Sequence, residues 1–151
     1  MTELNELDDL YQEIILDHYR HPRNQQAVEA PDMQAHALNP FCGDEVDLQA
    51  RMEDGRICEV CFKGRGCSIS QASASIMTEL LKGKTPEEAL ELYSVFRRLM
   101  FGEDISEEEL DGMGELGALA GVRKFPVRIK CALLGWNSLD DAIGEYAKAN
   151  G

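Results

Sequence analysis

The sequence predicts an α+β fold: a small antiparallel sheet of two to three strands packed against several helices. Three observations carry this expectation. Residues 45–53 and 56–63 alternate apolar and polar side chains around Asp54-Gly55, a strong hairpin signal. The first twenty residues and most of the second half repeat apolar residues at helical spacing. Two capping boxes, Thr85-Pro86-Glu87-Glu88 and Ser106-Glu107-Glu108-Glu109, mark helix starts.

Taken in order, Leu4 to Tyr19 reads as an amphipathic helix through Leu7, Leu10, Tyr11, Ile14, Ile15 and His18, ended by Pro22. Gln25 to Asn39 is weakly patterned and reads as a surface connection. In the first strand of the hairpin Val46, Leu48 and Ala50 share one face. In the second, Cys58, Val60 and Phe62 are expected on the core side, with Cys61 nearer solvent. The stretch at Cys67-Ser68-Ile69 is a candidate third strand, and a helix face follows through Ile69, Ser73, Ile76, Met77 and Leu80, closed by Gly83. Pro86 opens a helix carrying Ala89, Leu92, Phe96 and Met100. Gly112, Gly114, Gly117 and Gly121 make Leu110 to Gly121 a broken helix or a loop. Pro126 is expected to open the last helix, with Cys131 in its second turn and Leu134, Leu139, Ile143 and Tyr146 beyond.

At 151 residues, 44% of them hydrophobic, the chain reads as a single folded domain over 1–151. Its net charge of −13 argues against nucleic acid or anionic membranes as partners, because phosphate recognition needs a basic face. The polar, acidic start lacks the pattern of a secretory signal, and no apolar run approaches the ~18 residues of a membrane span. A reducing cytoplasm is therefore expected, where clustered cysteines point to metal or redox chemistry rather than disulfides.

Chemistry concentrates at three of the five cysteines. Cys42 lies in Asn39-Pro40-Phe41-Cys42-Gly43-Asp44, Cys67 in Gly64-Arg65-Gly66-Cys67-Ser68-Ile69-Ser70, and Cys131 in Arg128-Ile129-Lys130-Cys131. Glycine-bearing turns can bend sharply and leave a thiol uncovered, and basic neighbours favour a thiolate. Asp44, two residues after Cys42, supplies a possible fourth ligand. Thiolates and a carboxylate suit zinc, and thiolates also hold iron–sulfur clusters. The wide separations match no compact zinc finger, so a metal would serve a site rather than create the fold. Four anionic ligands leave excess negative charge, which Arg128 and Lys130 are placed to offset; Arg128 is expected to orient Asp44 from outside the ligand set. Cys58 and Cys61 form a C-x-x-C, but residues three apart on a strand face opposite sides, so a structural role is expected. His18 and His21, near a helix end, and His36, in a weak segment, are assigned no ligand role.

These frames, with Asp17-His18-Tyr19 and Pro22-Arg23-Asn24, resemble the U-type iron–sulfur assembly proteins, the family of IscU and the N-terminal part of NifU, from about Tyr11 to Tyr146. The resemblance implies a SufE/NifU-like fold and places Cys42, Asp44, Cys67 and Cys131 at the family's metal or cluster ligand positions. Two departures point to one branch. Lys130 stands where IscU-type scaffolds carry histidine, and the chaperone-recognition stretch is altered to Lys124-Phe125-Pro126-Val127-Arg128-Ile129-Lys130. Residues from about 101 to 121 also look like an insertion that scaffold members lack. All of these features resemble the SufU branch, zinc-binding sulfur acceptors for a SufS-type cysteine desulfurase.

What the resemblance implies is a sulfur relay. Zn2+ holds the acceptor thiolates, docking of the desulfurase frees one, and that thiolate attacks the persulfide sulfur. Cys42, in a turn that can swing out, is the expected acceptor, and downstream Suf assembly proteins are the expected recipients. The alternative is a scaffold that assembles a [2Fe–2S] cluster on the same thiolates and transfers it. A purely structural zinc domain is the third reading, and it predicts unfolding on chelation.

Overall fold

In a computed structural model of the chain, residues 2–40 and 43–150 are described, with side chains described from residue 11 onward. The element order is α1 (Thr2–Arg20), β1 (Met33–Asn39), β2 (Asp44–Glu53), β3 (Arg56–Arg65), α2 (Ser68–Leu81), α3 (Pro86–Met100), α4 (Glu107–Gly112), a 3-10 helix (Gly114–Lys124) and α5 (Pro126–Asn150). The three strands form one antiparallel sheet in the order β1-β2-β3. This is the α+β architecture the sequence predicts.

The β2–β3 hairpin turns at Asp54 and Gly55, both with positive φ (52° and 76°), the backbone that a two-residue turn between twisted strands requires. Val46, Leu48 and Ala50 are buried on one face of β2, as their alternation demands. On β3 the alternation is interrupted. Arg51 pairs with Glu59 but Met52 pairs with Ile57, so Cys58 is the extra residue of a β-bulge. The bulge turns Ile57 into the core and leaves Cys58 half-buried, its thiol 3.3 Å from the Arg51 carbonyl. Cys61 is the buried cysteine of the pair, at 3% exposure, against the expectation for the two. It lies on the outer face beside Gln49, under the incoming segment around Val28. That segment also borders β3, with Phe62 donating to the Asn24 carbonyl and Gln25 donating to the Phe62 carbonyl.

The third strand is β1, not the stretch at Cys67. Met33–Asn39 pairs with β2 from Met33↔Ala50 to Asn39↔Asp44. Its residues are poor strand formers, and its exposed face includes Leu38, which blurs the alternation; pairing with β2 and packing against α5 override weak propensity.

The inner face of the sheet is covered by α2 and α5. Val46, Phe62, Ala74 and Leu134 pack together there, and α2 is buried on almost every side. Ser73 of α2 donates to the Ala132 carbonyl (2.6 Å) and accepts from the indole of Trp136 (3.2 Å). Gly135 permits this close crossing: a Cβ there would stand 3.4 Å from both Ala74 Cβ and Met77 Cε. Trp136 is fully buried, stacked with Tyr93 and tilted against Phe96 of α3. Both predicted capping boxes form, at Thr85/Glu88 and Ser106/Glu109.

The glycine-rich region resolves into the short α4 and the 3-10 helix. It is docked, since Met113, Leu116, Leu119 and Val122 join the same core as α2, α3 and α5. His18 of α1 holds it from the other side. Its imidazole is 1% exposed, 2.7 Å from Ser75 Oγ and 3.1 Å from Glu115 Oε1. Ser75 Oγ already accepts from the Arg23 amide, so its hydroxyl proton is available to Nδ1, and Nε2–H then donates to Glu115. No helix among the described residues is long and apolar enough to cross a membrane.

Candidate metal centre

The β3–α2 junction builds the centre. Cys67 is the N-cap of α2, with extended backbone, and its sulfur accepts from the Ser70 amide at 3.5 Å. That sulfur therefore sits at the first-turn amides, the positive end of the helix dipole. Asp44, the first residue of β2, is fully buried and points at the same turn. Its Oδ1 accepts from the Cys67 amide at 2.8 Å, and its Oδ2 lies 3.7 Å from Cys67 Sγ. The chain can pass this close only because residue 66 is glycine. Gly66 has φ +139°, and a Cβ would fall 2.2 Å from Asp44 Oδ1 and 2.8 Å from Asp44 Cα.

Cys131 arrives from the second turn of α5, which Ser73 of α2 fixes by donating to the carbonyl of Ala132, the next residue. Cys131 is fully buried, and ligand atoms of Asp44, Cys67 and Cys131 lie within 4.8 Å of one another. Burial pushes the Cys131 thiol far up, reinforced by its bond to Asp44 and by the negative charge of Cys67. Two sulfurs and a carboxylate gathered in a desolvated corner repel one another once ionised, and a bound cation reverses that repulsion. The donor set fits zinc, which favours thiolate and carboxylate oxygen, and it equally admits iron.

Cys42 lies outside the described residues. The 40–43 connection that contains it joins β1 to β2, with the Gly43 amide donating to the Asn39 carbonyl at 2.8 Å. Gly43 has φ +71°, a left-handed turn. Arg128 is exposed and shares with Cys67 a groove of about 920 Å³, which the 3-10 helix and α1 also line. Lys130 is exposed beside Leu38, Pro40 and Phe101 on a second groove. Large apolar side chains are exposed around these grooves, notably Phe125 at 61% and Val127 at 67%.

His18, on the apolar stripe of α1, is a buried hydrogen-bonding residue. His36 lies on β1, between the carboxylates of Glu45 and Asp47. The helical spacing of His18 was a signal for burial; for His36 no signal existed without the strand.

Residues 10–151 match the model of the NifU-like N-terminal domain. The chain is 40% identical over 144 residues to the zinc-dependent sulfurtransferase SufU of Bacillus subtilis, covering 95% of this chain and 96% of that protein. It is 41% identical over 150 residues to the iron–sulfur cluster assembly scaffold protein IscU of Streptococcus pyogenes, covering 97% and 90%. Among solved structures, SufU of Fervidobacterium islandicum AW-1, described as a scaffold protein for the SUF system, superposes with a TM-score of 0.80 at 35% identity, covering 87% of this chain and 94% of that one. A match that spans residues 10–151 decides the assignment: the protein belongs to the NifU-like N-terminal domain family, among the SufU and IscU proteins of iron–sulfur cluster assembly.

Proposed function

We propose that the protein is a zinc-bound sulfur acceptor that takes persulfide sulfur from a SufS-type cysteine desulfurase in the cytoplasm and passes it to downstream Suf assembly proteins. The observation that carries this reading is the convergence of Asp44, Cys67 and Cys131 at a buried helix N-terminus. The similarity to the SufU protein named as zinc-dependent supports it. Cys42, Asp44, Cys67 and Cys131 would hold the ion, which keeps the thiols deprotonated when bound.

Cys42 is the acceptor in this reading. Its connection is bounded by Pro40 and the left-handed Gly43, whereas Cys131 is embedded in α5 and Cys67 is tied to Asp44 and the α2 amides. The Cys42 thiolate attacks the terminal sulfur of the desulfurase persulfide. A new S–S bond forms on Cys42, the old one breaks, and the desulfurase cysteine leaves as its thiolate. In this reading Arg128, which shares a groove with Cys67, and Lys130, next to Cys131 in the chain, offset the negative charge of the site, and Arg128 orients Asp44. The exposed Phe125 and Val127 give the desulfurase an apolar surface beside the site. Residues 1–151 act in this reading as one domain, with 101–121 as its inserted part.

A second reading, a scaffold that assembles and transfers a [2Fe–2S] cluster, draws on the equal similarity to a protein named as an IscU scaffold. Metal content and desulfurase stimulation, measured on one purified untagged sample, separate the two. The relay predicts one tightly bound zinc per chain and faster alanine release from cysteine. A brown protein with iron, acid-labile sulfide and no stimulation would establish the scaffold instead.

A further inference from the structure

The groove of about 920 Å³ beside Cys67 differs in charge from the rest of the molecule. Arg123, Lys124 and Arg128 line it, and among the described residues no Asp or Glu does. The whole chain carries 28 acidic residues against 15 Lys and Arg. Elsewhere that excess is matched to the cations: Arg23, Arg51, Arg56, Arg65 and Arg98 each pair with a carboxylate. Arg123 and Lys124 pair with none among the described residues. A concave wall bearing cations alone, on an acidic protein, concentrates small anions.

The other linings define the rest of the ligand. The first turn of α2 contributes Ser68 and Ile69, at the positive end of that helix's dipole. Ile15, Val122 and the rings of Tyr11 and Phe125 make much of the remaining surface apolar. The volume is that of small-molecule sites, which combine an apolar body with a few polar groups. Cys67 lies on the same wall, so the groove opens onto the cysteine cluster.

We propose that this groove binds a low-molecular-weight thiol bearing carboxylates, of the glutathione class, which collects sulfur from the acceptor cysteine. The inference rests on the sulfur-relay reading. The carboxylates meet Arg123, Lys124 and Arg128, and the thiol end faces the cysteine cluster. There the small thiolate attacks the outer sulfur of the Cys42 persulfide. A new S–S bond forms on the small thiol, the bond to Cys42 breaks, and Cys42 leaves as its thiolate, with no net oxidation. The product is a small-molecule persulfide, so sulfur leaves on a diffusible carrier as well as on a protein recipient.

S-Methylglutathione keeps the carboxylates but cannot accept sulfur, so it tests the groove alone. Titrated into the zinc-supplemented full chain, it shifts the backbone amide signals of residues 11–15, 67–69 and 118–128 saturably. An Arg123→Glu, Lys124→Glu double variant, changed only at exposed positions, weakens that binding about tenfold or more, the effect of one lost charge-assisted hydrogen bond. Transfer is then read by mass spectrometry on chains preloaded by a desulfurase. Glutathione persulfide forms at a rate, per loaded chain, that saturates with glutathione, and the double variant raises the half-saturating concentration by the same factor. Shifts confined to other regions, tighter binding of tetraglutamate (the mark of an acidic protein segment), or transfer that never saturates overturns the proposal. A desulfurase that fails to load Cys42 contradicts the relay reading instead, and the S-methylglutathione titration still decides the groove.

Discussion

Gly66 is the residue on which the centre's geometry turns. A methyl group there would collide with both the carboxylate and the backbone of Asp44. Gly66→Ala is therefore expected to displace Asp44 from Cys67 and to lower metal affinity by about 10–100-fold, the scale of a misplaced supporting group. Competition with a chromophoric chelator measures it, and near-ultraviolet circular dichroism checks that the core survives. The sequence made Cys67, Cys131 and Asp44 legible because turn residues and basic neighbours are local signals. It did not reveal that Asp44 is wholly buried, because that depends on where the β3–α2 turn passes over it. Cys58 and Cys61 were misread for a similar reason. The bulge at Cys58 takes that residue off the core face with no residue type to announce it, and Cys61 keeps its outer face but is covered by the segment around Val28.

Among the elements, α2 and α5 determine how Cys67 and Cys131 face each other, and Ser73 joins them. Ser73→Ala leaves the buried Trp136 indole N–H without its acceptor and is expected to destabilise the fold by about 1–3 kcal/mol. Urea unfolding with unchanged m-value checks it. The capping boxes give α3 and α4 a pH dependence. Glu88 and Glu109 are held below the ordinary carboxylate value of 4.5, first by the backbone amides of Thr85 and Ser106 respectively. A carboxyl lowered in the folded state stabilises it fully above the unfolded value, and that contribution is lost as pH falls through the folded value. Thermal melts between about pH 6 and pH 3 should therefore show a fall that is smaller in a Glu88→Gln, Glu109→Gln double variant. Helices and their caps were legible because periodicity and capping are encoded within a few residues. β1 was not, because its strand character comes from its partners β2 and α5 rather than from Met33–Asn39 itself.

For the whole molecule, one core runs from the sheet through α2 and α5 to α3 and the 3-10 helix. Such a core does not need a metal to form, in contrast to small zinc domains that are unfolded without their ion. Chelation is expected to leave far-ultraviolet and near-ultraviolet dichroism largely intact while abolishing desulfurase stimulation. Cooperative unfolding on chelation would instead mark the cysteine cluster as a structural zinc site. The region 101–121 belongs to the same account. Its glycines predict a broken helix or a loop; a broken helix forms, and beyond that expectation Met113, Leu116 and Leu119 are fully buried and Glu115 meets His18 of α1. The docking was illegible because apolar residues spaced by glycines fit neither helical nor strand periodicity, and only the 3-10 turn lines them up.

Intact-protein and peptide mass spectrometry, after incubation with a SufS-type desulfurase and cysteine, reads the sulfur relay at its acceptor. The sulfur relay predicts one added sulfur atom on Cys42, removed by reductant and absent in a folded, zinc-retaining Cys42→Ser variant. Sulfur added equally in that variant, or none added to the wild-type chain under turnover, would contradict it.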